Sequence, residues 1–236
     1  MNVLVTGANG QLGNEMRLMA QNSSHHYIFT DVEELDITDF NAILQTVKEK
    51  EIQIIVNCAA YTNVDKAEND FDIANDLNNI AVGRLANVAK AQNATLIHIS
   101  TDYVFNGNNH IPYTEDDITD PIGVYGKTKL AGEETIKKVG CNYIILRTAW
   151  LYSKWGNNFV KTMQKLTLEK DNLSVIFDQI GSPTYAKDLA HAISLIIERN
   201  MLNQQGIYHY SNEGVCSWFD FAKEICELSG HNCNIT

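Results

Sequence analysis

Tyr125 and Lys129 stand four residues apart in the stretch VYGKTKLAGEE, and a helix there would bring both side chains out on one face. Of the ten tyrosines in the chain, only Tyr125 is followed at that spacing by a lysine. A phenol with a reference pKa of about 10 holds its proton at neutral pH and can give it to a developing alkoxide. A neighbouring ammonium would stabilise the phenolate left behind and bring the phenol nearer the working pH. A second set of polar groups, Ser100, Thr101, Asp102 and Tyr103, follows the apolar residues Leu96, Ile97 and Ile99 in LIHISTDYVF. A hydroxyl at the end of such a strand could hydrogen-bond a carbonyl oxygen and polarise it. Strand alternation does not choose between Ser100 and Thr101, because the strand ends there. Tyr103 lacks the lysine that Tyr125 has.

The segment VTGANGQLGNE supplies what such a pair would act with. Its glycines at 7, 10 and 13 follow the first apolar run and open a helical pattern, one residue longer in spacing than the GxGxxG dinucleotide fingerprint. Gly7 permits a tight turn, Gly10 lets the backbone approach a pyrophosphate, and Gly13 allows close contact between helix and strand. The phosphate would sit on the helix N-terminus, where free N–H groups and the macrodipole favour an anion. Asp31, in FTDVEELDITD, lies about 20 residues beyond the loop, where a carboxylate bonds the adenosine ribose hydroxyls. That favours NADH, since a carboxylate would repel a 2′-phosphate, without excluding NADPH. Asp36 and Ile37 could flank the adenine, or Asp36 could cap the helix starting near residue 39. Ala59 and Ala60 are small enough to let backbone lie against a nucleotide. With a nicotinamide present, the Lys129 ammonium could also bond its ribose and hold it toward the substrate.

These groups must be held by a scaffold, and the pattern of the chain says which. Short β-branched runs at 3–5, 27–29, 52–56 and 95–99 alternate with amphipathic stretches at 11–21, 39–50 and 71–92. Continuous apolar strands separated by helices imply a parallel sheet covered on both faces. The fold class is α/β, a Rossmann-like doubly wound parallel sheet with a smaller C-terminal lobe. In the 71–92 stretch, Leu77, Ala81, Leu85 and Val88 form a packing stripe, and Asn78, Asn79, Arg84 and Asn87 receive no site role. After a strand at 143–146 the rhythm loosens over 150–183, then resumes with a helix at 184–199, a strand at 207–210 and a helix at 218–228. The division expected is a dinucleotide-binding domain at 1–151, with 184–210 packing back onto it, and a lobe made of 152–183 and 211–236.

Composition narrows the function classes. A formal net charge of -11 offers no footing on a phosphate polymer or an anionic membrane, so nucleic acid and membrane are not expected partners. No apolar stretch approaches the ~20 residues of a membrane span, and the first apolar run is too short for a signal segment. Five cysteines without a CxxC pair suggest neither a disulfide framework nor a zinc site, and fit reduced thiols in a cytoplasmic protein. His25, His26, His191 and His209 show no metal-like grouping.

With the GxxGxxG loop, the Ser/Thr after the fourth strand and YxxxK in place, the chain resembles the extended short-chain dehydrogenase/reductase superfamily. More narrowly it is similar to the dTDP-4-dehydrorhamnose reductases, through GANGQLG, AAYTNVDKAE, STDYVFNG, YGKTKLAGE, RTAWLY, GNNFVKTM and DQIGSPTYAKDLA. The resemblance implies reduction of the C4 keto group of a dTDP-4-dehydro-6-deoxy sugar by NADH or NADPH. It places the catalytic hydroxyl on Thr101, the proton donor on Tyr125 and the assisting lysine on Lys129, leaving Ser100 as a strand-end hydrogen bonder. Cofactor contacts fall on Gly10, Gln11, Leu12, Asp31, Asp36, Ile37, Ala60, Tyr61, Thr62 and Ile99, beside Gly7, Gly13, Tyr125 and Lys129. Substrate contacts fall on Thr101, Asp102 and Trp150, with a core position the alternative for Trp150. Members usually continue past the position of Thr236, so the substrate lobe is expected to be incomplete. Some form homodimers bridged by a metal through carboxylates. Glu15 could serve in that way, but Lys187 stands where an acid would be wanted, so no essential metal is expected. A non-catalytic nucleotide-binding regulatory subunit, and a reductase or epimerase of another nucleotide sugar, are the competing readings.

Overall fold

The β-branched runs form the centre of a parallel sheet, and the amphipathic stretches cover it. A computed structural model describes residues 1–236. The first half runs β1 (Asn2–Thr6), α1 (Gln11–Ala20), β2 (His26–Thr30), α2 (Phe40–Glu49), β3 (Ile54–Asn57), α3 (Val64–Ala67), α4 (Phe71–Asn75), a π-helical turn (Asp76–Ile80), α5 (Ala81–Ala91) and β4 (Thr95–Thr101). A short 3-10 turn (Asp102–Val104) precedes α6 (Val124–Val139), β5 (Asn142–Thr148), β6 (Leu151–Tyr152), α7 (Phe159–Glu169), β7 (Asn172–Leu173), β8 (Ile180–Gly181) and β9 (Thr184–Tyr185). The chain finishes with α8 (Ala186–Glu198), β10 (Gly206–His209), β11 (Cys216–Ser217), α9 (Trp218–Leu228) and β12 (Asn234–Ile235).

Six strands make the main sheet in the order β10-β5-β4-β3-β1-β2, parallel throughout. Period-two alternation sends successive side chains to opposite faces, and both faces are buried. Leu4, Ile55, Leu96 and Ile145 pack against Ile43, Val47, Leu85 and Ile136 of α2, α5 and α6. On the other face Val3, Val5, Ile54, Val56 and Ile144 meet Met16 of α1 and Leu189, Ile193 and Ile197 of α8. The strands neighbouring β1 are β2 and β3, so the chain turns opposite ways on its two sides and opens a crevice at their carboxyl ends. Beneath that crevice Thr6 donates to Asn57 at 2.7 Å, and Asn57 bonds His98 at 3.1 Å, tying the ends of β1 and β3 to β4.

Three expectations change in detail. The helix expected over 71–92 is interrupted by the π-turn, where the amphipathic stripe continues but the hydrogen-bond ladder widens. The stretch 150–183 contains α7, capped by Asn158, whose side chain accepts from the Lys161 N–H. Its apolar face pairs with α9 around Met163, Ala222 and Ile225 in a small separate cluster. Residues 184 and 185 form β9 beside β6, and α8 starts after them. Glu15 of α1 is buried while Lys187 on α8 is exposed. No helix is long and apolar enough to cross a membrane.

Candidate active site

At the carboxyl edge of the sheet lies a cavity of about 1030 Å³. Gly10 precedes α1 with no side-chain cap, so the N–H groups of the first turn have no side-chain acceptor. Gly7 has φ +63, and a Cβ on it would come 2.6 Å from the Ala59 backbone. A Cβ on Gly13 would come 2.5 Å from Ala8 and from the Gly7 carbonyl, so that glycine lets α1 pack against the loop itself, where helix-to-strand contact was expected, and it does not line the cavity. Asp31 accepts from the Asn9 N–H at 2.9 Å and from the Val32 N–H at 2.9 Å, which pins the glycine loop to the end of β2. Its carboxylate still has lone pairs for a ribose hydroxyl. An open helix N-terminus, a glycine loop with no room for a Cβ at Gly7 or Gly13 and an acid beside it suit a dinucleotide.

Asp36 takes the Thr38 N–H and hydroxyl, both at 2.8 Å, and those bonds hold its carboxyl below the usual range. The cap of α2 is Asp39, so the capping role considered for Asp36 falls to its neighbour three residues on. Asp36 and Ile37 line the cavity with Ala60, Thr62 and Ile99. Tyr61 departs from the set: its hydroxyl donates to Asp70 at 2.9 Å, and its side chain does not line the cavity.

Thr101, Asp102, Tyr125 and Lys129 line the same cavity. Thr101 ends β4, accepts from the Tyr103 N–H at 3.2 Å and donates to Asp102 at 3.0 Å. Burial pushes the Asp102 carboxyl up to about 6, with the Thr101 hydroxyl opposing the rise. Burial also pushes the Tyr125 phenol up; the nearby Thr101 hydroxyl opposes this and the Asp102 charge adds to it. Lys129 donates to the Ile99 carbonyl at 2.7 Å, and its pKa falls to about 8, from burial opposed by Glu133. Here the Lys129 ammonium is turned to the Ile99 carbonyl at the end of β4, and burial favours the protonated form of the Tyr125 phenol, the form a general acid needs before reaction. The rings of Tyr103 and Tyr125 meet edge to face at 5.6 Å.

Ser100 is the strand-end hydrogen bonder anticipated for it, donating to Glu133 of α6. Glu133 lies one helical turn after Lys129 and pairs with Arg147 of β5 through bonds of 3.0 and 2.8 Å. Sequence reasoning gave Glu133 and Arg147 no role, and nothing local marks a pair fourteen residues apart. Asn78, read as packing, is fully buried in the π-turn. It accepts from the Tyr61 N–H at 2.9 Å and donates to the Tyr61 carbonyl and to Thr128. It thus joins the β3 loop to the helix that carries Tyr125. An asparagine three residues before the Ala81 of an apolar stripe was the available signal.

Trp150 lines the cavity in a left-handed conformation, φ +47, which costs on the order of 1–3 kcal/mol and persists only where packing enforces it. That packing comes from Trp218 at the start of α9, whose ring stacks on it at 3.5 Å, and from Gly181. A Cβ on Gly181 would come 2.5 Å from the indole. Trp218 also lines the cavity, and the sequence offered no local sign of it beyond an aromatic pair, Trp218 and Phe219, opening a helix.

A doubly wound sheet whose glycine loop and open helix N-terminus share one cavity with Thr101, Tyr125 and Lys129 has the make-up of a nicotinamide-dependent oxidoreductase. Over residues 1–234 the chain matches the family described as RmlD substrate binding domain, and it belongs to that family. It is 43% identical over 228 residues to a spore coat polysaccharide biosynthesis protein, SpsK, of Bacillus subtilis, covering 97% of this chain and 79% of that protein. It is 41% identical to a dTDP-4-dehydrorhamnose reductase of Aggregatibacter actinomycetemcomitans, covering 94% of this chain and 77% of that one. A crystal structure of the Bacillus anthracis dTDP-4-dehydrorhamnose reductase in complex with NADP superposes with a TM-score of 0.95 at 43% identity, covering 100% of this chain and 84% of that one.

Proposed function

We propose that the protein reduces the C4 keto group of dTDP-4-dehydro-6-deoxy-L-mannose to give dTDP-L-rhamnose. The observation that carries this reading is the convergence of Thr101, Asp102, Tyr125 and Lys129 on one cavity with the open first turn of α1. NADH or NADPH, when bound, supplies the hydride equivalent. The first turn of α1 would hold its pyrophosphate, with Asp31 at the adenosine ribose and Lys129 at the nicotinamide ribose. Thr101 turns its hydroxyl from Asp102 to the sugar carbonyl and orients it, Tyr125 gives its proton to the C4 oxygen, and Asp102, freed of that donor, accepts a hydrogen bond from the sugar. Trp150 offers an aromatic face to the C–H surface of the pyranose. Residues 152–183 and 211–236 act as the substrate lobe.

A regulatory, non-catalytic role would not call for a buried phenol beside a hydroxyl and a lysine, and the identity to named reductases favours this sugar over another. The Asp31 carboxylate supports use of NADH, and the NADP held by the Bacillus anthracis relative supports use of NADPH. Incubation with the dTDP-4-keto sugar and each cofactor in turn, with product identified by NMR, tests the reading. dTDP-L-rhamnose formed with either cofactor supports it. Tight cofactor binding with no turnover of this sugar would sink it.

A further inference from the structure

Gln11 is the first residue of α1, on the turn whose N–H groups form the phosphate cradle. Its carboxamide reaches across the cavity to another part of the chain. Nε2 donates to the Leu151 carbonyl at 3.3 Å. Oε1 accepts from the Ser153 hydroxyl at 3.1 Å and from the Asn158 amide at 3.0 Å. Asn158 caps α7, and the same amide ties the turn closed through the Ser153 and Trp155 carbonyls. Ser153 is buried, and its hydroxyl accepts from the Trp155 N–H at 3.0 Å while donating to Gln11. Gly156, in left-handed conformation, brings the turn so near that a Cβ on it would stand 3.4 Å from the Gln11 side chain. Leu151, Gly156, Asn158 and Phe159 line the same cavity as Trp150.

One carboxamide is thus the brace between the cofactor cradle and the wall that continues from Trp150 to α7. We infer that Gln11 is a positioning residue that couples cofactor occupancy to affinity for the nucleotide diphosphate half of the substrate, a proposal that rests on the functional reading above. An anion on the first turn of α1 fixes the backbone of Gln11. Its side chain then fixes the 151–158 turn, so the second ligand meets a wall already ordered. Linkage makes the effect reciprocal: whatever factor NADPH contributes to dTDP affinity, dTDP contributes to NADPH affinity.

The test is calorimetric titration of the full chain with dTDP, with and without saturating NADPH, which needs no turnover. In the wild type NADPH should tighten dTDP by about fivefold or more, the lower range of typical couplings. In Gln11→Ala that factor should fall toward one. Because it is a ratio within one variant, a uniform loss of affinity for either ligand cancels. Ser153→Ala removes the Gln11 bond together with the hydroxyl's bonds to Trp155, leaves the glycine loop untouched and should lower the factor part of the way. The double variant should couple no less than Gln11→Ala alone. A wild-type factor near one, or the wild-type factor retained in both single variants, overturns the inference while leaving the functional reading standing. Absence of any dTDP binding overturns that reading and the inference with it.

Discussion

Glu133→Gln is the substitution with the largest expected structural consequence, because it breaks an ion pair that water does not reach. The side chains of Glu133 and Arg147 are 0% and 4% exposed, and they share bonds of 3.0 and 2.8 Å. Ser100 donates to the same carboxylate. Replacing the carboxylate leaves the buried guanidinium cation unpaired, a loss of about 3–5 kcal/mol. For a chain of this size each kcal/mol shifts Tm by about 2–4 °C, so the variant should melt roughly 6–20 °C lower. The kinetics should respond as well. Glu133 raises the Lys129 pKa against the burial that brings it to about 8. Without it Lys129 loses its proton at lower pH, and the alkaline limb of kcat/KM should move below its wild-type position. Scanning calorimetry and a pH–rate profile read the two effects separately. A Tm loss equivalent to under about 1 kcal/mol, the worth of an exposed pair, together with an unmoved alkaline limb, would refute the reasoning.

Two further substitutions probe the substrate side. Asp102, with its carboxyl pushed up to about 6, should give kcat/KM an acid limb near that pH, because the carboxylate form that would accept from the sugar in the proposed reaction is lost as pH falls. Asp102→Asn should abolish that limb and lower kcat/KM at neutral pH by about tenfold or more, the worth of a charge-assisted hydrogen bond. Gly181→Ala sets a methyl 2.5 Å from the Trp150 indole, and the facing Trp218 leaves the ring nowhere to retreat. Overpacking of about 1–3 kcal/mol should appear mainly as a raised KM for the sugar, with cofactor affinity little changed in a fluorescence titration.

The parts of this protein legible in its sequence are those set by local rules. Strand and helix periods predict the parallel sheet, and the glycine spacing predicts a loop packed too closely for a Cβ at Gly7 or Gly13. Tyr125 and Lys129 declared themselves by one helical turn. What stayed hidden depends on distant partners. The π-turn at Asp76–Ile80 leaves the apolar stripe intact, so period alone reads one helix through it, and Asn78 becomes meaningful only with Tyr61 and Thr128 facing it. Trp218 lies 68 positions from the ring it stacks on, and the brace from Gln11 to Ser153 spans 142. Lys129 was legible as a residue but not in its direction, since the carbonyl it bonds belongs to β4.

The central claim is that the Tyr125 phenol, and not that of Tyr103, delivers the proton to the C4 oxygen. Cofactor oxidation with the dTDP-4-keto sugar should be followed for the wild type, Tyr125→Phe and Tyr103→Phe, with folding checked by melting. Tyr125→Phe should lower kcat by about 10²–10⁴-fold, the usual contribution of a positioned acid, while Tyr103→Phe retains most of it. Undiminished turnover in Tyr125→Phe, or the large loss falling on Tyr103→Phe, would contradict the account.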